Sequence, residues 1–222
     1  MFIELIDSLR CPNRHEDSWL VGAFDRLQER EVLTGRLGCP ICRAQYEIVD
    51  GIVRFDPPVA APVDDPHESE AAPGADDALR LAAMLDLASP GGLIVLAGEW
   101  TRIGVALAAF ADSRLLLLNA PESVAESVAR RSGLSAVICR GAIPVAPGSC
   151  RGIALGSGEE TARLANSAVG ALRAGGRLVA PVTVDVPEGI AELARDASLW
   201  VGARVAGPPP ALVPLGGRSR RQ

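Results

Sequence analysis

The sequence contains no lysine: all 22 of its basic residues are arginine, and it has only 2 histidines. Without lysine, the chain has neither the phosphate-binding lysine of a P-loop nor a Schiff-base lysine for pyridoxal phosphate or aldolase chemistry. A histidine-activated nucleophile could use only His15 or His67. The abundance of alanine, glycine and proline beside arginine is typical of a genome rich in G and C. The missing lysine therefore reflects composition more than selection at a site.

Long hydrophobic runs are also missing. The richest apolar stretch, residues 93–111, is interrupted by Glu99 and Arg102, and a membrane span needs roughly 18 consecutive apolar residues. The first ten residues carry Glu4 and Asp7 and no basic region before an apolar stretch, so we expect no signal peptide. Three of the 5 cysteines lie within the first 42 residues, a pattern that favours a metal site in a reducing compartment over a disulfide scaffold. We predict a cytoplasmic protein.

Charge is distributed unevenly along the chain and predicts its domain boundaries. Residues 1–55 carry 7 arginines and 9 acidic residues, residues 56–77 carry 7 acidic and no basic residues, and residues 78–222 carry 15 arginines and 11 acidic residues. The middle block is acidic and rich in proline, so we predict an extended linker there, with His67 in solvent. The sequence then predicts a small domain over 1–55, a larger domain over 78–216 and a flexible tail over 217–222.

The first domain has the pattern of a small β-rich fold. Residues 19–23 and 31–37 are plausible strands, and residues 46–49 and 52–55 flank the dipeptide Asp50-Gly51. An Asp-Gly pair supplies the positive φ angles of a two-residue type I′ turn. We therefore predict a β-hairpin at this position.

The second domain alternates helices and buried strands. The apolar pattern predicts strands at 93–97, 115–118, 136–139, 152–155 and 177–182, with helices between most of them, then a helix over 187–197 and two last strands near 200–205 and 211–215. Continuous apolar strands separated by helices indicate a parallel sheet covered on both faces. The predicted fold class is α/β: a small β-rich domain followed by a doubly wound, Rossmann-like sheet of seven strands ending in an antiparallel hairpin.

A cysteine cluster marks the first domain as a candidate metal site. Cys39-Pro40-Ile41-Cys42 is a C-x2-C knuckle, and Cys11 with His15 supplies a third sulfur and an imidazole. Three thiolates and one imidazole form a tetrahedral zinc set with no open position, so the predicted zinc is structural. It would also stabilise a domain of this size, which has a thin core. The alternative is that Cys11 and His15 are incidental and the knuckle holds no metal.

Three segments of the first domain resemble a known family. The runs Leu9–Pro12, Gly35–Cys42 and Tyr46–Ile52 look like the small zinc-ribbon family that includes the activator subunit of tRNA and protein methyltransferases. Bacterial relatives often carry a cysteine where this chain has Arg14, which makes His15 the substitute ligand. The resemblance covers residues 1–55, and it implies a module that binds and stabilises a methyltransferase, either its own second domain or a separate enzyme.

The second domain resembles the class I S-adenosylmethionine-dependent methyltransferase fold over residues 79–215. Residues 168–179 look like that family's helix-turn-strand around Gly175-Gly176, and residues 143–155 look like the segment that leads into its fourth strand. The resemblance implies a Rossmann-like sheet with a cofactor site at the strand ends.

The residues that would hold that cofactor are largely replaced. The family's glycine motif, laid on residues 94–102, matches only at Gly98; its acidic position is Leu96, and its later glycines are Trp100 and Arg102. The carboxylate that accepts both ribose hydroxyls corresponds to Asn119. Because glycine lets the backbone approach the cofactor closely, we expect a large side chain such as Trp100 to fill that space. S-adenosylmethionine binding is therefore not expected; if the cofactor does bind, Gly98, Glu99 and Asn119 would line its site.

Two function hypotheses follow. The favoured one is a non-catalytic methyltransferase-like protein with a structural zinc ribbon, acting as a scaffold or regulatory partner, for example of an active methyltransferase. The alternative is an active S-adenosylmethionine-dependent methyltransferase with a remodelled pocket. The first domain's negative charge and few aromatic residues argue against nucleic-acid binding, and no membrane partner is expected.

Overall fold

The computed structural model describes residues 1–56, 74–109, 111–128, 131, 133–158 and 160–207. Most of the predicted linker, with His67, lies outside these residues, as do the predicted tail and the predicted strand at 211–215. Across the described ranges, eleven strands form one sheet, and four α-helices and short 3₁₀ helices pack on it. None of the helices in these ranges is both long and apolar enough to cross a membrane.

The elements follow in chain order. The strands are β1 Val21–Gln28, β2 Glu31–Gly38, β3 Gln45–Val49, β4 Ile52–Arg54, β5 Leu93–Ala97, β6 Arg114–Leu118, β7 Leu134–Ile138, β8 Cys150–Ala154, β9 Leu172–Pro181, β10 Ile190–Arg195 and β11 Leu199–Arg204. The helices are α1 Ala75–Met84, α2 Gly104–Ala108, α3 Glu122–Val128 and α4 Thr161–Ala171, and 3₁₀ helices span Ile3–Ser8 and Gly98–Ile103.

Strands β1 to β4 form an antiparallel meander. The turn between β3 and β4 consists of Asp50 and Gly51, whose φ angles are 49° and 79°, and Val49 pairs directly with Ile52 across it. The predicted two-residue hairpin is confirmed. Its short loop fixes the register that buries Tyr46 and Ile48 on one face of β3.

Strands β5 to β11 form the doubly wound part of the sheet, in the order β7-β6-β5-β8-β9-β11-β10. β5 to β9 are parallel to one another, and β11 is antiparallel to both β9 and β10. The chain winds outward from β5 to β7 on one side and returns to β8 on the other. This order places a topological switch point between β5 and β8, where Rossmann-like sheets leave a crevice at the carboxyl ends of the strands. The predicted α/β, Rossmann-like fold is confirmed. Six of its seven predicted strands are present, the seventh predicted strand (211–215) lies outside the described residues, and β10 is a strand that was not predicted.

The central parallel strand, β5, is buried on both faces because an apolar residue occupies each of its positions. All five residues of β5 are buried, and alternate side chains enter two different clusters: Val95 packs on the face that carries α4, and Ile94 and Leu96 pack on the face that carries α1, α2 and α3. Successive strand side chains point to opposite faces. The layers are therefore helix, sheet and helix, with part of one helical layer supplied by other segments.

Those other segments come from the first 56 residues. β4 pairs in parallel with β7, with Ile52 opposite Ala136, so the meander extends the same sheet. Leu5 and Leu9 belong to the same core cluster as Val145 of the β7–β8 connection, and Leu9 forms an antiparallel bridge with Val145. The first 56 residues thus share a core with the α4 face. The division of the chain into separate folding domains stays a prediction.

The predicted helix over residues 187–197 is wrong, because residues Ile190–Arg195 form strand β10. The turn after it is fixed by Asp196, whose Oδ1 accepts hydrogen bonds from the backbone N–H groups of Ser198 and Leu199 at 2.7 and 2.8 Å. This turn directs the chain back along β10 as β11. Pairing with β11 supplies the strand's hydrogen bonds, so tertiary context overrides a helix-favouring sequence.

Candidate functional site

The Cys/His cluster lies at the end of β2. Cys39 follows the strand directly, and a tight turn brings Cys42 back beside it: Arg43 adopts a positive φ of 61°, and its N–H donates to Cys39 O at 2.9 Å. Cys11 arrives from the N-terminal segment, next to an isolated bridge between Arg10 and Trp19. The structure brings together all four ligands that the sequence predicted.

The spacing of the ligand atoms matches a tetrahedral site. Cys11 Sγ lies 3.7 Å from Cys42 Sγ, and His15 Nε2 lies 3.4 Å from Cys39 Sγ; all four ligand atoms are within 4.8 Å of one another. Zn–S and Zn–N bonds of about 2.3 and 2.0–2.1 Å at tetrahedral angles require S···S and S···N separations of roughly 3.8 and 3.5 Å. Both of these separations are close to the tetrahedral values, so the cluster fits a metal ion.

The orientation of His15 favours metal binding through Nε2. Its Nδ1 lies 2.6 Å from the carbonyl oxygen of Glu16, which can only accept, so Nδ1 carries the proton. The same hydrogen bond is the main cause that raises the pKa of His15. With the proton on Nδ1, a neutral imidazole presents the Nε2 lone pair to the centre of the cluster, a usual arrangement for a metal-bound histidine.

Two neighbouring side chains that the sequence analysis missed contact the cysteine sulfurs. Asn13 Nδ2 donates to Cys42 Sγ at 3.3 Å and is the main cause that lowers the pKa of Cys42 to about 6. The Tyr46 hydroxyl lies 3.0 Å from Cys11 Sγ, and burial raises the pKa of Cys11. Both donors would stabilise thiolates. Their only sequence signal was position: Asn13 lies between two ligands, and Tyr46 is the single tyrosine of the chain.

The second candidate site is the crevice at the switch point, between the carboxyl ends of β5 and β8. Its volume is ≈ 180 Å³, and Gly98, Asn119 and Gly156 are among its lining residues. Sites that enclose a drug-sized ligand span roughly 300–1,000 Å³. The crevice is thus in the place that the sequence predicted, but it is small.

Close backbone contact narrows this crevice. Gly98 has a φ of 67°, and a Cβ built on it would lie 2.8 Å from Gly156 Cα, so the ends of β5 and β8 touch. The Glu99 carboxylate folds over the same point: its Oε2 accepts a hydrogen bond from the Ser157 N–H at 2.9 Å and leaves no room for a Cβ on Gly156. Two of the predicted cofactor residues, Gly98 and Glu99, therefore contact Gly156 and Ser157 at the crevice.

The side chain of Asn119, the third predicted cofactor residue, makes two hydrogen bonds with the protein backbone. Its Nδ2 donates to the Cys139 carbonyl at 2.9 Å, and its Oδ1 accepts from the Cys139 N–H at 2.8 Å. The amide thus continues the ladder between β6 and β7 beyond the last backbone pair. A carboxylate at this position could accept from Cys139 but could not donate. Both polar atoms of Asn119 already bond Cys139, and its amide has one acceptor oxygen where a carboxylate has two, so it cannot accept both ribose hydroxyls as a carboxylate would.

Trp100 was expected to fill the cofactor space, and this expectation is wrong. Its indole is buried in the cluster on the α1–α3 face of the sheet, where Nε1 donates to Leu155 O at 3.3 Å. The reason is the 3₁₀ helix over Gly98–Ile103. It places the side chain of residue 100 on the α1–α3 face of the sheet, whereas the side chain of residue 99 contacts Ser157. Glu99 instead bonds the N–H of Ser157, a residue that lines the crevice.

No protein-family model and no curated protein matches this chain. Solved methyltransferase structures do resemble it. A putative S-adenosyl-L-methionine-dependent methyltransferase from Methanococcus maripaludis has a TM-score of 0.47 at 11% identity, over 60% of this chain and 86% of that protein. TrmN from Thermus thermophilus has a TM-score of 0.47 at 14% identity, over 61% of this chain and 50% of its own.

Geranyl diphosphate methyltransferase, solved in complex with S-adenosylmethionine, has a TM-score of 0.42 at 17% identity, over 48% of either chain. The chain thus spans about half the length of this protein and of TrmN. The strand order and register described above carry the assignment of a Rossmann-like fold. The likeness of residues 1–55 to the methyltransferase-activator family stays a prediction.

Proposed function

We propose that this chain is a methyltransferase-like protein without methyl-transfer activity, held together in part by a structural zinc ion, which acts as a scaffold or regulatory partner of another protein. The observation that carries this proposal is the state of Asn119. The residue in the ribose-binding position bonds Cys139 through both of its polar atoms, so S-adenosylmethionine would find no carboxylate there to accept its two ribose hydroxyls.

The rest of the crevice supports the same conclusion. A cofactor with an adenosine and a methionine moiety needs both an open backbone approach and hydrogen-bond partners. Here the Gly98–Gly156 contact removes the first, and Glu99 is committed to the Ser157 N–H. The residues present therefore do not fit S-adenosylmethionine, and we derive no catalytic step through it.

The Cys/His cluster, by contrast, fits zinc. Cys11, His15, Cys39 and Cys42 supply four protein ligands at tetrahedral spacing, and such a set leaves no position for a reactive water. The ion would join the N-terminal segment, through Cys11 and His15, to the end of β2. Its contribution is stability and the fixed placement of these two segments, and no chemistry is assigned to it.

Calorimetric titration of the zinc-loaded chain with S-adenosylmethionine tests the absence of catalysis. We expect no binding with a Kd tighter than about 100 μM, which corresponds to roughly −5.5 kcal/mol. Tighter binding would overturn the proposal and favour the active enzyme with a remodelled pocket. In that case the variant Gly98→Ala should weaken binding, whereas Gly170→Ala, on α4 with open space around it, should not.

Metal analysis and a partner assay test the other two parts. Protein purified without chelator should contain about one equivalent of zinc, and less than half an equivalent would contradict the zinc assignment.

The partner role predicts that a methyltransferase co-purified from the native cell loses activity or stability when this chain is removed. A co-purified enzyme that is indifferent to the chain would contradict the regulatory role.

A further inference from the structure

A cluster of arginines lies near the amino ends of β8 and β9, whereas the crevice lies at the carboxyl ends of the parallel strands. Arg151 of β8 and Arg173 and Arg177 of β9 line a concave pocket of ≈ 270 Å³, together with Asp86 and residues 89–92 of the loop before β5. We call it the arginine pocket. Its charged lining residues are three guanidinium groups and one carboxylate, so it carries a formal charge of about +2. None of these residues belongs to the metal cluster or to the switch-point crevice.

Arg151 forms the base of the arginine pocket and is only 8% exposed. Its guanidinium donates to three backbone carbonyls, those of Asp86, Ser89 and Gly91. Within the described ranges, no carboxylate forms an ion pair with it. A buried charge is usually paired with an opposite charge. The carbonyl dipoles orient Arg151, but its net positive charge remains at the base of the pocket.

Arg177 and Arg173 form the wall. Arg177 donates to Met84 O at 3.1 Å and lies 3.6 Å from Asp86 Oδ2, so one carboxylate offsets part of the charge. Arg173 is exposed and lies next to an irregular stretch of β9 in which Gly175 has a φ of 73°. Arg151 and Arg177 are fixed by backbone contacts, whereas Arg173 can move toward a ligand.

We propose that the arginine pocket binds the phosphate group of a small molecule. The planar guanidinium fork matches two phosphate oxygens at once, and its charge assists each hydrogen bond. The volume suits a phosphate with a small attached group, and the pocket is close to the lower limit of known ligand sites. The proposal is independent of the metal cluster and of any methyl transfer. The phosphate can be a free ion or part of a nucleotide, and the experiment separates these sources.

The experiment is an NMR titration of the full zinc-loaded chain with three probes: inorganic phosphate, AMP and adenosine. We expect the amides of Gly91, Gly92 and Gly175 to shift with phosphate and with AMP, and not with adenosine, which lacks the anion. Equal affinity for phosphate and AMP identifies the free ion as sufficient. Tighter binding of AMP identifies a nucleotide as the better ligand.

The variant Arg173→Ala removes the adaptable guanidinium without touching the buried Arg151, so the fold should persist. We expect its Kd for phosphate to rise roughly tenfold or more, because hydrogen bonds to charged groups are worth that factor. Arg173→Lys keeps the positive charge but lacks the planar guanidinium, so we expect its Kd for phosphate to rise less than that of Arg173→Ala. Arg163→Ala, an exposed arginine of α4 outside the pocket, is the matched control and should bind as the unchanged chain does.

Three results would overturn the proposal. The first is the absence of any amide shift at about 10 mM phosphate, because the Kd would then be higher than that of a functional phosphate site. The second is binding of adenosine as tight as that of AMP, which would show that the phosphate is not recognised. The third is an unchanged Kd in Arg173→Ala, which would place the anion elsewhere on the protein.

Discussion

Replacing Asn119 by Asp tests the structural role of its amide most directly. Both residues accept the positive φ of 54° found at this position, so the backbone is preserved while the amide donor is replaced by a charged acceptor. In the variant, a carboxylate oxygen would face the Cys139 carbonyl, where the Nδ2–H group now donates at 2.9 Å. The Cys139 N–H would keep its acceptor.

The expected cost follows from these two contacts. Loss of the Nδ2–H···O bond removes about 1 kcal/mol, and an unsatisfied, half-buried carbonyl facing a negative oxygen costs about 1–3 kcal/mol more. The charge-assisted bond from the Cys139 N–H offsets part of this loss. We expect the free energy of unfolding to fall by about 2 kcal/mol, which corresponds to a decrease in Tm of about 4–8 °C for a chain of this size.

Urea denaturation followed by circular dichroism measures this change, with Asn166→Asp as the control. Asn166 is exposed on α4 and donates only to the carbonyl one turn before it, so its replacement should change stability by less than about 0.5 kcal/mol. A similarly small change in Asn119→Asp would refute the role assigned to the amide. Asn119→Asp should also leave S-adenosylmethionine unbound, because the Gly98–Gly156 contact remains.

Three further changes have defined outcomes. Tyr46→Phe removes a hydroxyl 3.0 Å from a cysteine sulfur and should weaken zinc binding about 10- to 100-fold in chelator competition, and an unchanged affinity would contradict that role. Hydrogen bonds, first from Leu199 N–H and then from Ser198, lower the pKa of Asp196 from 3.8 to about 2; its contribution to stability is therefore complete above about pH 4 and lost as the pH falls through about 2. The difference in Tm between the unchanged chain and Asp196→Asn should shrink over that range, and a difference independent of pH would contradict the assignment. Gly98→Ala places a Cβ 2.8 Å from Gly156 Cα at a positive φ and should cost about 1–3 kcal/mol in urea denaturation, whereas no loss would show that β5 and β8 can separate.

Elements whose pattern is local and apolar could be predicted from the sequence. Residues 93–97 read as a buried strand because every side chain is apolar, and β5 spans these five residues. The Asp50-Gly51 turn was predicted because only a few residue types accept two positive φ angles. The cysteine cluster was predicted because metal ligands recur at fixed spacings. For the strand and the turn, the determining information lies within a few neighbouring residues; for the cluster, it lies in two short motifs, one at residues 11–15 and one at residues 39–42.

Features that depend on distant contacts could not be predicted. Residues 190–195 favour a helix locally, and the turn at Asp196 together with pairing to β11 makes them a strand. The position of Trp100 depends on which way a 3₁₀ helix turns under the sheet. The double hydrogen bond of Asn119 depends on Cys139, which is 20 residues away. The sequence shows that asparagine stands at position 119 in place of a carboxylate, but it does not show the two hydrogen bonds that this asparagine makes with Cys139.

The parallel pairing of β4 with β7 has a consequence for how the chain folds. At this junction Arg140 N–H bonds the carboxylate of Asp56, 84 residues earlier in the sequence, and contacts of such separation form slowly. Until β4 docks, β7 presents an open parallel edge of apolar residues, which is a template for association between chains. Residues 1–56 therefore cover the edge of β7 within the same chain. Chains from which these residues have been deleted should aggregate during refolding.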